Sequence, residues 1–268
     1  MPLKAIRSRS NPAVKALVKL AGSSRERRRT GTTLLEGERL VRAYGESGGR
    51  AQALLASESA LADPAVRRFV ENFPAGEHLA LSDGIFGSVS QLASAAGVAA
   101  VIRTPESGPV PKAAPGCLLL ENIQDPGNLG SILRTAVAAG TRQIFLSRGS
   151  VFAWAPKVVR AGMGAHFFLS IHEGVDLAEI ARSFSGRIIA TGPRAVTSLY
   201  DVDLRGDVAW LFGNEGAGLS PEAKGMSAVQ VRIPMPGQTE SMNVAAAAAI
   251  CLFEQVRQRG ASTPSARA

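Results

Sequence analysis

Asn128, Arg134, Glu215, Ser241 and Asn243 are the side chains in this sequence whose types and settings could do chemistry. They lie in three segments dense in glycine, proline and polar residues: ENIQDPGNLGSILRT (121–135), LFGNEGAGLS (211–220) and IPMPGQTESMNVAAAAAI (233–250). Arg134 offers N–H donors in a planar fork that matches phosphate. It could also stabilise oxyanion character on a hydroxyl losing its proton. Glu215, set among glycines, could bind hydroxyls or pair with an arginine. Asn128 reads as the N-cap of the helix NLGSILRTAVAAG, which Gly140 ends, or as an orienting partner of Arg134. Ser241 and Asn243 read as caps of a final helix from about 243 to 259.

The elements that must position these groups follow a β–α–β grammar. CLLLENI, RQIFLS, RIIAT and VAWLFG read as strands, with APKVVRAGMGA and VDLAEIARSF as helices and AHFFLS as a further strand. Strands alternating with helices imply a parallel sheet. In such a sheet the loops at the carboxyl ends gather on one edge and build the site. Glycine lets backbone groups approach a ligand closely, and Pro234 and Pro236 restrict the third loop in advance. Other chemistries lack their signatures. There is no Walker loop, no paired CxxC, no HExxH and no GxGxxG, so metal and nicotinamide sites are not expected. The three histidines are scattered, and His166 reads as structural.

Domain boundaries are expected at 1–103 for a small α/β domain, 104–116 for a linker, 117–260 for the parallel α/β domain, and 261–268 for a loose tail. The linker TPESGPVPKAAPG is rich in proline, glycine and small residues. In the first domain PAVKALVKL, EGERLVRAYGESG and SVSQLASAAG read as helices, TTLLEG and VAAVIR as strands. Apolar content of 46% sustains a core. Two cysteines define no disulfide framework and suit a reducing cytoplasm. The N-terminus has no apolar signal segment, and the longest apolar run, VAAAAAICLF, is far short of a membrane span. The net charge of +8 is concentrated in the first thirty residues, which hold nine basic residues and one acid. Arg25, Arg27, Arg28 and Arg29 are its densest part and suggest a docking surface for a polyanion. A membrane surface or a merely solvated basic end are the other readings.

The three segments resemble, in order and spacing, the signature motifs of the SpoU (TrmH-type) RNA ribose 2'-O-methyltransferases of the SPOUT class. The first motif is carried by Asn128, Gly130, Arg134 and Thr135. The second is carried by Gly213, Asn214, Glu215, Gly216, Gly218 and Leu219. The third runs from Ile233, Pro234, Met235 and Gly237 to Glu240, Ser241, Met242, Asn243 and Val244. Met242 stands where the family has leucine, and Ala245 where it has serine. More loosely, RRRTGTTLLEGERLV (27–41) and LSDGIFGSVSQLASAAGVAAVI (81–102) resemble the family's small ribosomal-protein-like α/β domain.

The resemblance implies a C-terminal parallel-sheet domain with a deep trefoil knot. It also implies S-adenosylmethionine (SAM) as methyl donor, a homodimer, no metal and structured RNA as partner, ribosomal RNA favoured over transfer RNA. The catalytic group it implies is Arg134, Asn128, Glu215, Ser241 and Asn243. Leu211, Phe212, Gly213, Asn214, Glu215, Ile233, Met235, Gly237, Ser241, Met242 and Asn243 would hold the donor. Arg25, Arg27, Arg28, Arg29, Arg134 and Arg160 would face RNA. Whether Arg134 acts as a base or as an electrostatic and phosphate anchor stays open. The alternatives are an RNA-binding protein of the same fold without turnover, and a small-molecule α/β enzyme.

Overall fold

The apolar runs CLLL and VAWLF lie side by side at the centre of a seven-stranded sheet, paired from Cys117–Ala209 to Leu120–Phe212. The computed structural model describes residues 3–90, 97–110 and 116–260. The chain forms two compact units. One comprises the chain through Glu106 together with Trp154–Phe167; the other comprises Ser107–Ala153 and the chain from Phe168 onward.

In the first unit the order is β1 (Lys4–Ile6), α1 (Pro12–Gly22), α2 (Ser24–Thr30), β2 (Thr32–Glu36), α3 (Glu38–Glu46), β3 (Ala51–Ser57), α4 (Pro64–Asn72), β4 (Ala75–Leu81), α5 (Asp83–Val89) and β5 (Val98–Arg103). The sheet order is β1-β4-β3-β5-β2, parallel from β1 to β3 and antiparallel on either side of β5. Val14, Leu17 and Leu20 of α1 pack with Ile85, Phe86 and Val89 of α5 over Leu34, Leu55 and Leu79. The expected helix SVSQLASAAG falls largely on residues 91–96, outside the described residues; its first two residues, Ser88 and Val89, end α5.

Arg27 corrects the reading of the basic run. Its side chain is buried, and Nη1 donates to the carbonyls of Leu20 and Ala21 at 2.7 and 3.0 Å, closing the C-terminus of α1. A helix end leaves carbonyls without intrahelical partners, and a guanidinium supplies donors for two of them. Arg27 is therefore withdrawn from any RNA-facing surface. Arg29 is exposed but forked onto Glu26 at 2.5 and 3.1 Å. Arg25 and Arg28 are exposed.

The first unit also takes in α7 (Pro156–Gly162), which packs on β2. Arg160 Nη1 donates to Glu36 at 2.9 Å, and the Glu36 side chain is only 1% exposed. Ser90 Oγ donates to the same carboxylate at 2.8 Å. Arg160, its side chain 24% exposed, thus balances a buried charge. Removing one partner of a buried pair leaves an uncompensated charge. Arg160→Met is expected to destabilise the protein by about 3 kcal/mol in denaturant unfolding, and the added change Glu36→Gln to recover much of that loss.

In the second unit the order is β6 (Cys117–Leu120), α6 (Pro126–Ala138), β7 (Gln143–Ser147), β8 (Ser170–Val175), α8 (Leu177–Ser183), β9 (Arg187–Thr191), β10 (Thr197–Ser198), β11 (Val208–Phe212), α9 (Pro221–Gly225), β12 (Val229–Arg232) and α10 (Val244–Gln258). All pairs of the sheet β10-β12-β9-β11-β6-β7-β8 are parallel. Strand side chains alternate faces. Cys117, Leu119, Ala209 and Leu211 pack with Leu177 and Ile180 of α8. Between them Trp210 turns to the other face, and its Nε1 donates to Gln255 of α10 at 2.8 Å. α10 packs along α6. Both cysteines are free and buried, and burial pushes the Cys117 thiol up to about 12.

Two local expectations change. The helix α6 is capped by Asp125, whose Oδ1 accepts from Asn128 N at 2.8 Å, with Pro126 at the first helical position. Asn128 lies inside the first turn, which frees its side chain. AHFFLS does not form a strand: Ala165–Phe168 is a 3₁₀ turn, His166 is buried beside the Trp154 ring, and β8 starts at Ser170.

Candidate active site

β6 and β11 are neighbours whose following connections run to opposite sides of the sheet, one to β7 and the other past β9 to β12. This is the topological switch point, where parallel sheets open a crevice at their carboxyl ends. The loop after β6 carries Asn128, the loop after β11 carries Glu215, and the chain from β12 to α10 carries Asn243.

Side-chain hydrogen bonds join all three. Asn128 Nδ2 donates to Glu215 Oε1 at 3.1 Å, and Asn243 Nδ2 donates to Asn128 Oδ1 at 2.8 Å. Glu215 also accepts the backbone N–H of Gln124 at 3.2 Å and of Asp125 at 3.0 Å. Of the two readings of Glu215, hydroxyl binding or pairing with an arginine, neither describes its contacts here, which are to this set of amide donors. Partial burial raises the Glu215 pKa, but the Asn128 amide and the Asp125 and Gln124 N–H groups outweigh it, so the carboxyl is held below its ordinary value. A depressed folded pKa gives a contribution that is present above the unfolded pKa and is lost as pH falls through the folded one. Loop order is therefore expected to stay constant from about pH 8 to pH 6 and to fail only in acid, as read by intrinsic fluorescence and ligand titration.

Asn214 and Asn243 are spent largely on their own segments. Asn214 Oδ1 accepts from Gly216 N at 3.0 Å and Ala217 N at 2.9 Å, while Nδ2 donates to Asn122 O at 2.8 Å. Asn243 caps α10, its Oδ1 accepting from Ala245 N and Ala246 N at 2.8 and 3.3 Å. Glu121 anchors the far end of the second loop by accepting from Ser220 N and Oγ at 2.9 and 2.7 Å.

Beside this network lies a cavity of about 820 Å³. Of the residues expected to hold a ligand, Gly213, Asn214, Glu215, Ile233, Met235, Ser241 and Met242 border it. Leu211 and Phe212 do not: their side chains are fully buried in β11, where Phe212 O accepts from Glu121 N at 2.9 Å. Gly237, Asn243, Asn128 and Arg134 lie outside its lining as well. Arg134 projects from the exposed side of α6, opposite the buried Ile132, Leu133 and Ala136. Sequence reasoning missed the loop after β9, where Thr191 to Ala195 border the cavity, together with Lys224; Glu240, named in the third motif but not among the donor-holding residues, borders it too. Its signal was present: Gly192-Pro193 follows a strand just as the other loops do. Among the described residues no cluster of three potential metal ligands occurs, and no helix is long and apolar enough to cross a membrane.

Comparison with known proteins places this architecture. Residues 115–253 match the model of the SpoU rRNA methylase family, and residues 11–100 match an MRM3-like substrate binding domain. The chain belongs to the SpoU rRNA methylase family, and its all-parallel C-terminal sheet domain is of the type typical of the SPOUT knot. It is 33% identical, over 98% of its length and 97% of the relative's, to an uncharacterized tRNA/rRNA methyltransferase of Synechocystis sp.. It is 29% identical, over 94% of its length and 98% of the relative's, to the 23S rRNA (guanosine(2553)-2'-O)-methyltransferase RlmP of Bacillus subtilis. Among solved structures, it superposes with a TM-score of 0.83 on the SpoU methyltransferase AviRb of Streptomyces viridochromogenes in complex with AdoMet, 27% identical, covering 94% of this chain and 99% of that one.

Proposed function

We propose that this chain transfers a methyl group from SAM to a ribose 2'-hydroxyl of RNA, with ribosomal RNA as its substrate class. The observation that carries this reading is the hydrogen-bond chain Glu215–Asn128–Asn243, which ties three separate loops together at the switch point beside the cavity. The cavity fits the donor in size, since small-molecule sites run from about 300 to 1,000 Å³. It fits in chemistry too. Met235, Met242, Ile233 and Leu219 offer apolar contact for an adenine ring, and the Gly213–Gly218 backbone offers polar groups at close range. When bound, SAM supplies the electrophilic methyl group.

The chain's own residues then have distinct tasks. Glu215 and Asn128 hold the first two loops in one geometry, and Asn243 locks α10 to them. Orientation of this kind supplies much of the barrier reduction in a group transfer. Arg134 binds the acceptor's phosphate and stabilises negative charge on the ribose oxygen as its proton leaves. It stays protonated, because arginine barely deprotonates in proteins, so the hydroxyl proton leaves to solvent. The first unit binds structured RNA and the second carries the transfer. The protein acts as a homodimer, in the cytoplasm. α10 exposes Ala246 and the large Phe253, and α6 exposes Ser131 and Arg134. A second copy seated on these packed helices would cover the apolar positions and bring Arg134 toward a partner's acceptor. Sedimentation of the purified protein tests this.

The function is tested by incubating the protein with labelled SAM and unmodified ribosomal or transfer RNA, then mapping the label by nuclease digestion. The expected product is a 2'-O-methyl nucleotide in ribosomal RNA. Tight RNA binding with no label in any RNA would establish the binding-protein alternative.

A further inference from the structure

Two cations on the rim of the cavity have no role in the network just described. Arg194, in the loop after β9, and Lys224, on α9, both border the cavity and both are exposed. Neither side chain makes an ion pair or hydrogen bond among the described residues, unlike Arg29, Arg160, Arg205 and Arg257, which are paired with acids.

Each sits on a segment that is itself fixed. Arg232 of β12 donates to Ala195 O at 3.0 Å and also to Val196 O, and Gly192 N donates to Val231 O at 3.0 Å, so the loop bearing Arg194 is pinned at both ends. α9 is capped by Ser220, which Glu121 holds. Charges held in place in this way bind at lower entropic cost than charges on free loops.

The ligand that fits them follows from charge. SAM carries a sulfonium, an ammonium and one carboxylate, so it is a net cation and gives two further cations little reason to border its cavity. The acids at the cavity are Glu215, already saturated by amide donors, and the exposed Glu240, which is free to face the donor's positive groups. What remains is an oxyanion delivered from outside. We propose that Arg194 and Lys224 grip a phosphodiester of the RNA strand beside the acceptor ribose and thereby hold its 2'-hydroxyl over the donor cavity. This rests on the reading of the chain as an RNA methyltransferase. An arginine binds phosphate as a planar fork and a lysine as a point charge, and each such contact shows as salt dependence.

The test uses the full-length protein, SAM and unmodified 23S ribosomal RNA transcript, with Arg194→Ala, Lys224→Ala, their combination, and Arg182→Ala as an exposed-cation control outside the cavity. Each cavity variant is expected to raise the KM for RNA about tenfold and to lower the slope of log affinity against log salt by about 1. SAM affinity by calorimetry should stay within about twofold of the parent. A fall in SAM affinity would overturn the proposal and make these residues a clamp for the donor's carboxylate. An unchanged RNA affinity and salt slope, or an equal loss in the control, would overturn it as well. Filter binding of the same RNA reads the same contacts without turnover. If the parent protein methylates nothing, the methyltransferase reading fails while the binding arm still decides whether the two cations hold RNA.

Discussion

Arg134→Ala is expected to lower methyl transfer by about 100- to 1,000-fold, the usual cost of removing one aimed electrostatic donor. SAM affinity should stay within about twofold, because Arg134 does not border the cavity. The separation of the two effects is the informative part. Arg134 is exposed on α6, and the buried side of that helix, from Leu129 to Ala136, does not depend on it. Folding should therefore survive, and circular dichroism should match the parent. Arg134→Lys keeps the charge but loses the planar fork, so it should recover only a small part of the rate. Mixing the variant with a second inactive variant altered in its cavity would show whether Arg134 serves the partner's site, since activity would return only if complementary halves meet.

Gly213→Ala should have the opposite signature, a loss of donor binding first. A Cβ at Gly213 would lie 2.5 Å from the Gly218 carbonyl carbon and from the Leu219 nitrogen. These are backbone atoms of a closed loop, held by reciprocal bonds between Asn214 and Gly218 at 3.1 and 2.9 Å. No side chain can swing away to make room, so the loop must open and carry Glu215 off its amide donors. Overpacking of this kind costs about 1–3 kcal/mol in stability. The Kd for SAM should rise by at least about tenfold, or about 1.4 kcal/mol. Gly206→Ala, whose added Cβ meets nothing within 4 Å, is the matched control and should bind SAM as the parent does.

Which features are legible in the sequence follows from how local their causes are. The start of α10 at Asn243 is readable because its cap is made by its own side chain to the next turn. The parallel sheet is readable because CLLL and VAWLF are apolar at every position, as strands covered on both faces must be. The start of α6 is misplaced by three residues, since Asp125-Pro126 is a stronger start signal than Asn128. Arg27 and Arg160 are not readable as structural residues at all. A run of arginines looks solvated until the carbonyls of Leu20 and Ala21 are seen to close over one of them. Arg160 meets Glu36 across 124 positions of sequence. The convergence of Asn128, Glu215 and Asn243 is legible as three strand ends on one sheet edge, but the order of their hydrogen bonds, and the part played by the loop after β9, depend on side-chain packing that spacing does not encode.

The central claim is that the loops after β6 and β11 and the chain entering α10 act as one donor site. Hydrogen–deuterium exchange during a SAM titration tests it most directly. Peptides covering 121–128, 213–219 and 233–243 are expected to gain protection together, with one shared midpoint, while the sheet of the first unit is unaffected. Protection confined to one of these segments, or centred on another part of the molecule, would contradict it.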